Sequence, residues 1–389
     1  MTIQTYYDVV VIGGGIHGAG VAQASAAQGY SVLLLEQNEI ASGTSRKSSK
    51  LIHGGLRYLE SGQFSLVHEC LQERRYLLKN APHLVEMKPF FIPVYQQTSR
   101  RPWKIFAGLS LYAALAGFRK KTTFHRVSKE NWDKLDGLCT ENLESVFQYW
   151  DAQTNDQLLT KAVVESAKNL GAEVLEHTAL DSAEYDSNQW QVSFKHGNSQ
   201  LNVNAGVIVN AAGPWVNQVL QQILPGDVGM AVDLVQGTHI VLDKELFQGM
   251  YYLESPMDQR AVFVMPWYGQ ALIGTTEKIY QGDPSAVAPT VEEEKYLQET
   301  VGHYFPDMAN MKIDRSFAGL RVLPRQSGTA FSRPRETTIL NHKSQACFSI
   351  YGGKLTAYRA TSERVVERFA DVLPARKAIA DTRNLVLPD

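Results

Sequence analysis

Cysteine is scarce: three residues in 389, Cys70, Cys139 and Cys347, odd in number and without a CxxC spacing. That argues against a disulfide framework and a zinc site, and the thiols are expected to be buried and free in a reducing compartment. No metal site is expected. Net charge is nearly absent as well, with 38 Lys and Arg against 40 Asp and Glu and a balance of −2. Without a basic field the chain is not expected to bind nucleic acid, and any cationic site has to be local. No basic leader precedes the apolar start, so a cytoplasmic rather than a secreted protein is expected. Internal repeats and low-complexity tracts are lacking too. What remains is an ordinary globular composition, 44% hydrophobic and 20% charged, long enough for two domains with buried cores.

Residues 7–36 read YDVVVIGGGIHGAGVAQASAAQGYSVLLLE. The run VVVI at 9–12 has the continuous apolar character of a strand buried on both faces. It breaks at three glycines into an Ala-rich helical stretch, and a second apolar strand follows at 32–35. Gly13, Gly15 and Gly18 have the GxGxxG spacing: a tight turn, close backbone approach to a pyrophosphate, and close packing of helix on strand. Glu36, at the end of the second strand, is in position to accept hydrogen bonds from ribose hydroxyls. A dinucleotide site is predicted here. The next segment, ASGTSRKSSKLIHGG, is rich in hydroxyls and basic residues where a nicotinamide enzyme would continue its alternating β and α pattern, and such a loop can wrap a flavin.

The stretch SSKLIHGGLRYLE (48–60) crowds two hydroxyls, a lysine, a histidine, an arginine and a tyrosine around Gly54 and Gly55. With VIVNAAGPWVN (207–217), GTHIVLD (237–243), VFVMPW (262–267), IGTTEK (273–278), AGLRVLP (318–324) and YGGKLTAYR (351–359), it resembles the FAD-dependent glycerol-3-phosphate dehydrogenases, within the D-amino-acid-oxidase-like flavoprotein superfamily. The resemblance implies an α/β fold, a Rossmann-like FAD-binding domain (1–84, 150–217 and 341–389) with an inserted mixed-sheet substrate domain (85–149 and 218–340). It implies non-covalent FAD held by Gly13, Gly15, Gly18, Glu36, Thr44, Ser45, Ser48, Ser49, Lys50, Gly213, Leu355 and Thr356. Longer members carry a further C-terminal helical domain, and a short form without it is expected here.

The implied reaction is oxidation of sn-glycerol 3-phosphate to dihydroxyacetone phosphate by hydride transfer to flavin N5, with electrons passed to a membrane quinone. It needs a base for the hydroxyl proton, and His53 has the suitable intrinsic pKa. His17 and His239 read instead as structural. A phosphate needs cations, and Arg57, Arg321 and Lys354 are the candidates, with Tyr58 beside them and Arg359 further out. Arg315, Arg325, Arg333 and Arg335 read as surface ion pairs. A carboxylate would also satisfy Arg321, so an FAD-dependent oxidase or dehydrogenase of a small amino acid or 2-hydroxy acid is the alternative. The segment 100–121, RRPWKIFAGLSLYAALAGFRKK, sets fourteen uncharged residues between basic ends. As a helix these cover ~21 Å, less than the ~30 Å hydrocarbon core. Peripheral attachment to an anionic membrane surface is expected rather than a span.

Overall fold

The computed structural model of the protein describes residues 3–117, 121–325, 337–342 and 346–389. Arg119, Arg333 and Arg335 lie outside them. The apolar run at 9–12 forms the strand Tyr6–Ile12, paired in parallel with Val32–Leu35 on one side and Ser199–Asn210 on the other. From Val9 to Ile12 its side chains alternate between two cores. Val9 and Val11 pack with the helices Ile16–Ala27, Asp156–Asn169 and Tyr358–Glu367, while Tyr7, Val10 and Ile12 pack with Trp190, Phe194 and Leu220. A strand covered on both faces has no polar side to show, which is why its sequence does not alternate.

The first sheet runs in the order Thr338–His342, Cys347–Tyr351, Ser199–Asn210, Tyr6–Ile12, Val32–Leu35, Glu173–Leu175. The strands Thr178–Asp186 and Gln189–His196 form an antiparallel hairpin against the outer part of Ser199–Asn210. Sequence reading treats 201–203 and 207–209 as separate strands; the structure makes them one strand of 12 residues. Its outer half alternates because one face meets solvent, and its inner half is continuously apolar because both faces are covered. The stretch 150–177 reads as an N-cap region around Thr154 to Asp156, an amphipathic helix, a stop at Gly171 and a strand; the helix is Asp156–Asn169, capped by Asn155, whose Oδ1 accepts from Leu158 N at 3.1 Å.

The second sheet is mixed and follows the order Lys278–Tyr280, Val232–Leu242, Gln270–Gly274, Ala261–Trp267, Met250–Glu254, Val85–Tyr95, Leu143–Thr154, Leu51–Ile52. Ile313–Pro324 pairs antiparallel along Val232–Leu242, which sets Arg321 opposite Val235. Leu143–Thr154 runs through position 150, and Leu51–Ile52 belongs to this sheet, so its edge extends into segments that the sequence reading assigns to the flavin domain. The sequence after the two glycines reads as a helix over 355–370, and the helix begins only at Tyr358. Residues 354–357 form a turn closed by Ala357 N donating to Lys354 O at 3.2 Å, and a 3-10 turn, Arg368–Asp371, ends the helix.

The segment 100–121 contains the helix Pro102–Leu115. Among the described residues no helix is long and apolar enough to cross a membrane. At the basic entrance of Pro102–Leu115, Arg100 pairs with Glu60 and Glu254, Arg101 with Glu144, and Lys104 with Glu60. Trp103 (74% exposed), Phe106 (55%) and Leu111 (39%) do face solvent.

Behind the Gly54–Gly55 turn lies a buried polar cluster. Gly54 N donates to Tyr112 Oη at 2.9 Å, Tyr112 donates to Asp151 Oδ2 at 2.9 Å, and Asp151 pairs with Arg74, which also donates to Trp150 O. Burial raises the Asp151 pKa, opposed by Arg74 and by the hydrogen bonds of Tyr112 and Gly54. Asp151→Ala would leave the Arg74 charge buried without its carboxylate. Denaturant unfolding is expected to register a loss of about 3–5 kcal/mol, and a change within 0.5 kcal/mol of zero would contradict this account of the cluster.

Candidate active site

One cavity of about 940 Å³ runs from the first glycine turn to the second sheet. At its first end, Gly13 adopts φ +107°, and a Cβ there would sit 2.7 Å from Ala211 O. A Cβ at Gly18 would fall 1.8 Å from Gly13 O, so this glycine lets the helix lie on the strand and does not itself reach the cavity. Glu36 lines the wall and accepts from Gly14 N at 2.6 Å and from Asn38 N at 2.8 Å. Each carboxylate oxygen retains acceptor capacity for a further partner. Ser45 Oγ accepts from Ile16 N at 2.9 Å, holding the N-terminus of the first helix, and Thr44 Oγ1 donates to Leu320 O at 2.9 Å.

Ser48, Ser49, Gly213, Leu355 and Thr356 also line the cavity. Lys50 does not. It is buried, with Nζ donating to Asp156 Oδ1 at 2.7 Å and to Arg46 O at 2.5 Å, and it lies over the rings of Trp267 and Phe317. The expected cofactor role of Lys50 is replaced by a structural one. Lys50 precedes the strand Leu51–Ile52 with a left-handed backbone, φ +60°, and its side chain is drawn to Asp156. Arg359 is likewise structural, buried between Glu73 and Glu363.

At the other end His53, Arg57, Tyr58, Arg321 and Lys354 all line the cavity. Gly55 takes φ +77°, which only glycine adopts without cost, and His53 N donates to Thr356 Oγ1 at 3.1 Å. That bond ties the histidine to the YGGKLT turn. Lys354 Nζ stands 3.9 Å over the Tyr58 ring, and among the described residues this buried ammonium has no hydrogen-bond partner. A buried cation with only a ring face beside it is an anion or carbonyl site in waiting. Arg321 Nη1 donates to Glu277 Oε1 at 2.9 Å and Nη2 to Thr276 O at 2.8 Å. Arg315 and Arg325 pair with Asp314 and Asp233.

Three wall residues escape the sequence reading. Arg260 reaches the cavity from a polar turn that looks like ordinary surface. Glu277 lies inside the IGTTEK motif without standing out from it, and Asp151 lies within the strand Leu143–Thr154 just after Tyr149 and Trp150. His239, read from the sequence as structural, also lines the cavity: it stacks on Phe317, and its Nε2 is 2.9 Å from Ser49 Oγ. His17 lines the cavity against Gly353, its pKa lowered to about 4 by desolvation and by Arg364.

The wall therefore offers a glycine turn at a helix N-terminus for phosphates, a carboxylate for a ribose, and a buried ammonium at the far end. This donor set fits FAD along the length of the cavity. The class so defined is a two-sheet flavin-dependent oxidoreductase. The FAD dependent oxidoreductase family matches residues 8–359, and the chain belongs to that family. It is 38% identical over 386 residues to a glycerol-3-phosphate dehydrogenase of Pseudomonas aeruginosa, covering 96% of this chain and 74% of that protein. A D-erythritol 1-phosphate dehydrogenase of Brucella abortus is 34% identical over 374 residues, covering 94% and 74%. The solved structure of the Bacillus halodurans glycerol-3-phosphate dehydrogenase complexed with FAD superposes with a TM-score of 0.79 at 28% identity, covering 99% of this chain and 68% of that one.

His239 carries a pH signature. Burial lowers its pKa to about 3, assisted by the positive charges of Lys50 and Arg321. Unfolding returns the imidazole to about 6.5, so between roughly pH 6.5 and 3 the unfolded chain takes up a proton that the folded chain refuses. Stability from this group is complete above pH 6.5 and is lost as pH falls through that window. Between pH 7.5 and 5 the wild type is expected to lose about 2 kcal/mol more than His239→Gln, measured by denaturant unfolding; equal losses would contradict a buried neutral imidazole.

Proposed function

We propose that the protein oxidises sn-glycerol 3-phosphate to dihydroxyacetone phosphate with non-covalently bound FAD, and that a membrane quinone takes the electrons onward. The observation that supports this reading is that Arg57, Arg321 and Lys354 line the same cavity as His53. FAD supplies the hydride acceptor. The chain supplies the rest: the cations hold the phosphate, Tyr58 closes the pocket beneath Lys354, and His53 takes the proton of the secondary hydroxyl as its C–H leaves as hydride. Several cations on one wall suit a phosphate dianion better than the single carboxylate of an amino acid or 2-hydroxy acid. The Brucella abortus relative, named for D-erythritol 1-phosphate, keeps the phosphate and lengthens the polyol. That compound is the closest competing substrate.

Quinone is lipid-soluble, and the exposed apolar side of the helix Pro102–Leu115 suits a peripheral, one-leaflet attachment on the cytoplasmic side of a membrane. The glutamates around Arg100, Arg101 and Lys104 shift the emphasis from headgroup charge to burial of Trp103, Phe106 and Leu111.

Turnover with a dye acceptor is expected to be fastest with glycerol 3-phosphate, slower with erythritol 1-phosphate, and negligible with glycine or lactate. Preference for a carboxylate would overturn the assignment. The purified protein should be yellow, and acid precipitation should release its flavin; colour retained in the pellet would mean covalent attachment. Arg57→Ala and Arg321→Ala should each lower kcat/KM by about 2–4 kcal/mol in transition-state binding. His53→Gln should lower kcat by roughly two to four orders of magnitude with FAD content unchanged.

Liposome flotation tests the attachment. The native protein should float with vesicles at high as well as low salt, because the contact is apolar. The triple replacement Trp103→Ser, Phe106→Ser and Leu111→Ser should sediment. Equal flotation of both proteins would exclude this helix as the anchor.

A further inference from the structure

Glu277 stands at the centre of the arginine wall without touching the chemistry. Its carboxylate accepts from Arg321 Nη1 at 2.9 Å, and its own backbone oxygen accepts from Arg260 Nη1 at 3.0 Å. One residue therefore holds two of the guanidinium groups that face the cavity. Its side chain is 7% exposed and that of Arg321 is 23% exposed, so the contact is largely out of solvent while the arginine still opens onto the pocket.

The segment that carries Glu277 is itself pinned. Thr276 Oγ1 donates to Glu293 Oε1 at 2.5 Å and accepts from Thr238 N at 2.8 Å, and Thr276 N donates to Thr238 O at 3.3 Å. Glu293 belongs to the capping box of the helix Val291–Tyr304, a rigid element. Arg321 is further confined by Gly237 on the neighbouring strand, where a Cβ would lie 2.8 Å from Arg321 Nη2 and 2.6 Å from Thr275 Oγ1. The guanidinium thus lies over a position where only glycine leaves room, one edge gripped by Thr276 O and Glu277. Its aim depends on that grip.

We propose that Glu277 is a positioning residue for substrate anion binding: it fixes the plane of the Arg321 guanidinium, and keeps Arg260 beside it, so that Arg321 meets the phosphate without a search over rotamers. The inference rests on the reading of Arg321 as a phosphate ligand. It goes beyond that reading in making a buried carboxylate favourable to an anion site, which simple charge counting would deny. A negative charge next to a phosphate raises the Coulomb energy of binding, whereas a fixed guanidinium lowers the ordering cost of each hydrogen bond it makes. The two effects have opposite signs and can be separated.

Glu277→Gln keeps an acceptor oxygen for Arg321 and removes the charge; Glu277→Ala removes both. With the holoenzyme, glycerol 3-phosphate and a dye acceptor, Glu277→Gln is expected to show a KM at or below that of the wild type. Glu277→Ala is expected to show a KM at least about tenfold above that of Glu277→Gln, with kcat within about threefold and bound FAD unchanged. On an Arg321→Ala background the further change Glu277→Ala should no longer raise KM, and should leave it equal or lower it, because the arginine it positions is gone and only the repulsion between carboxylate and anion remains. Equal KM values for the Gln and Ala variants, a KM for Glu277→Ala below the wild type, or full additivity with Arg321→Ala would each overturn the proposal. If the wild type itself prefers another substrate, the functional assignment fails first; the same comparison on that substrate then tests Glu277 independently.

Discussion

The buried pair of Arg74 and Asp151 is the contact on which the rest of the site depends. Through Tyr112 it reaches the amide of Gly54, and so determines where the turn carrying His53, Arg57 and Tyr58 can lie. A charge pair in this position costs desolvation and is retained only because each member has several partners. Asp151 accepts from both Arg74 and Tyr112, and Arg74 also reaches the Trp150 carbonyl. A hydrophobic replacement could pack the same volume but could not present an acceptor to Tyr112, and the Gly54 turn would lose its tether.

The same logic recurs around the cavity. Lys50 and Asp156 bind the hydroxyl-rich loop to the N-terminus of the helix Asp156–Asn169, with Ser48 N donating to Asp156 Oδ2 at 2.9 Å. His53 is joined to Thr356, and Arg321 to the Thr276–Glu277 segment. The backbone of His53 and the side chain of Arg321 are thus anchored by elements distant in sequence. Rigid support of this kind is what allows a few polar groups to act at fixed positions in a low-dielectric pocket.

Much of this was legible in the chain. The strand at 9–12, the glycine turn, the second strand and Glu36 follow from local chemistry, since buried parallel strands, positive φ and helix propensity act over a few residues. The motif resemblance added the candidates His53, Arg57, Tyr58, Arg321 and Lys354, and all five open onto one cavity. Less legible were features set by long-range pairing. The strand Ser199–Asn210 changes its burial pattern halfway because its neighbours change, which no local periodicity can announce. Lys50 looked like a cofactor ligand because its neighbours Ser48 and Ser49 line the cavity, yet the buried Asp156, 106 residues later, claims its charge.

The sequence by itself determined the class of cofactor site and the chemical types available for catalysis, because a glycine turn, a terminal carboxylate and a basic, histidine-bearing loop have few other uses at those spacings. Tertiary structure alone decided which charges are offered to the cavity and which are spent on holding it together. Lys354 and Lys50 are the same residue type, each in a segment rich in glycine or hydroxyls. One ends over the Tyr58 ring without a hydrogen-bond partner among the described residues, and the other is enclosed against Asp156. The difference lies in which distant carboxylate the fold brings within about 3 Å, where charge pairing in a low-dielectric surrounding outweighs any local preference.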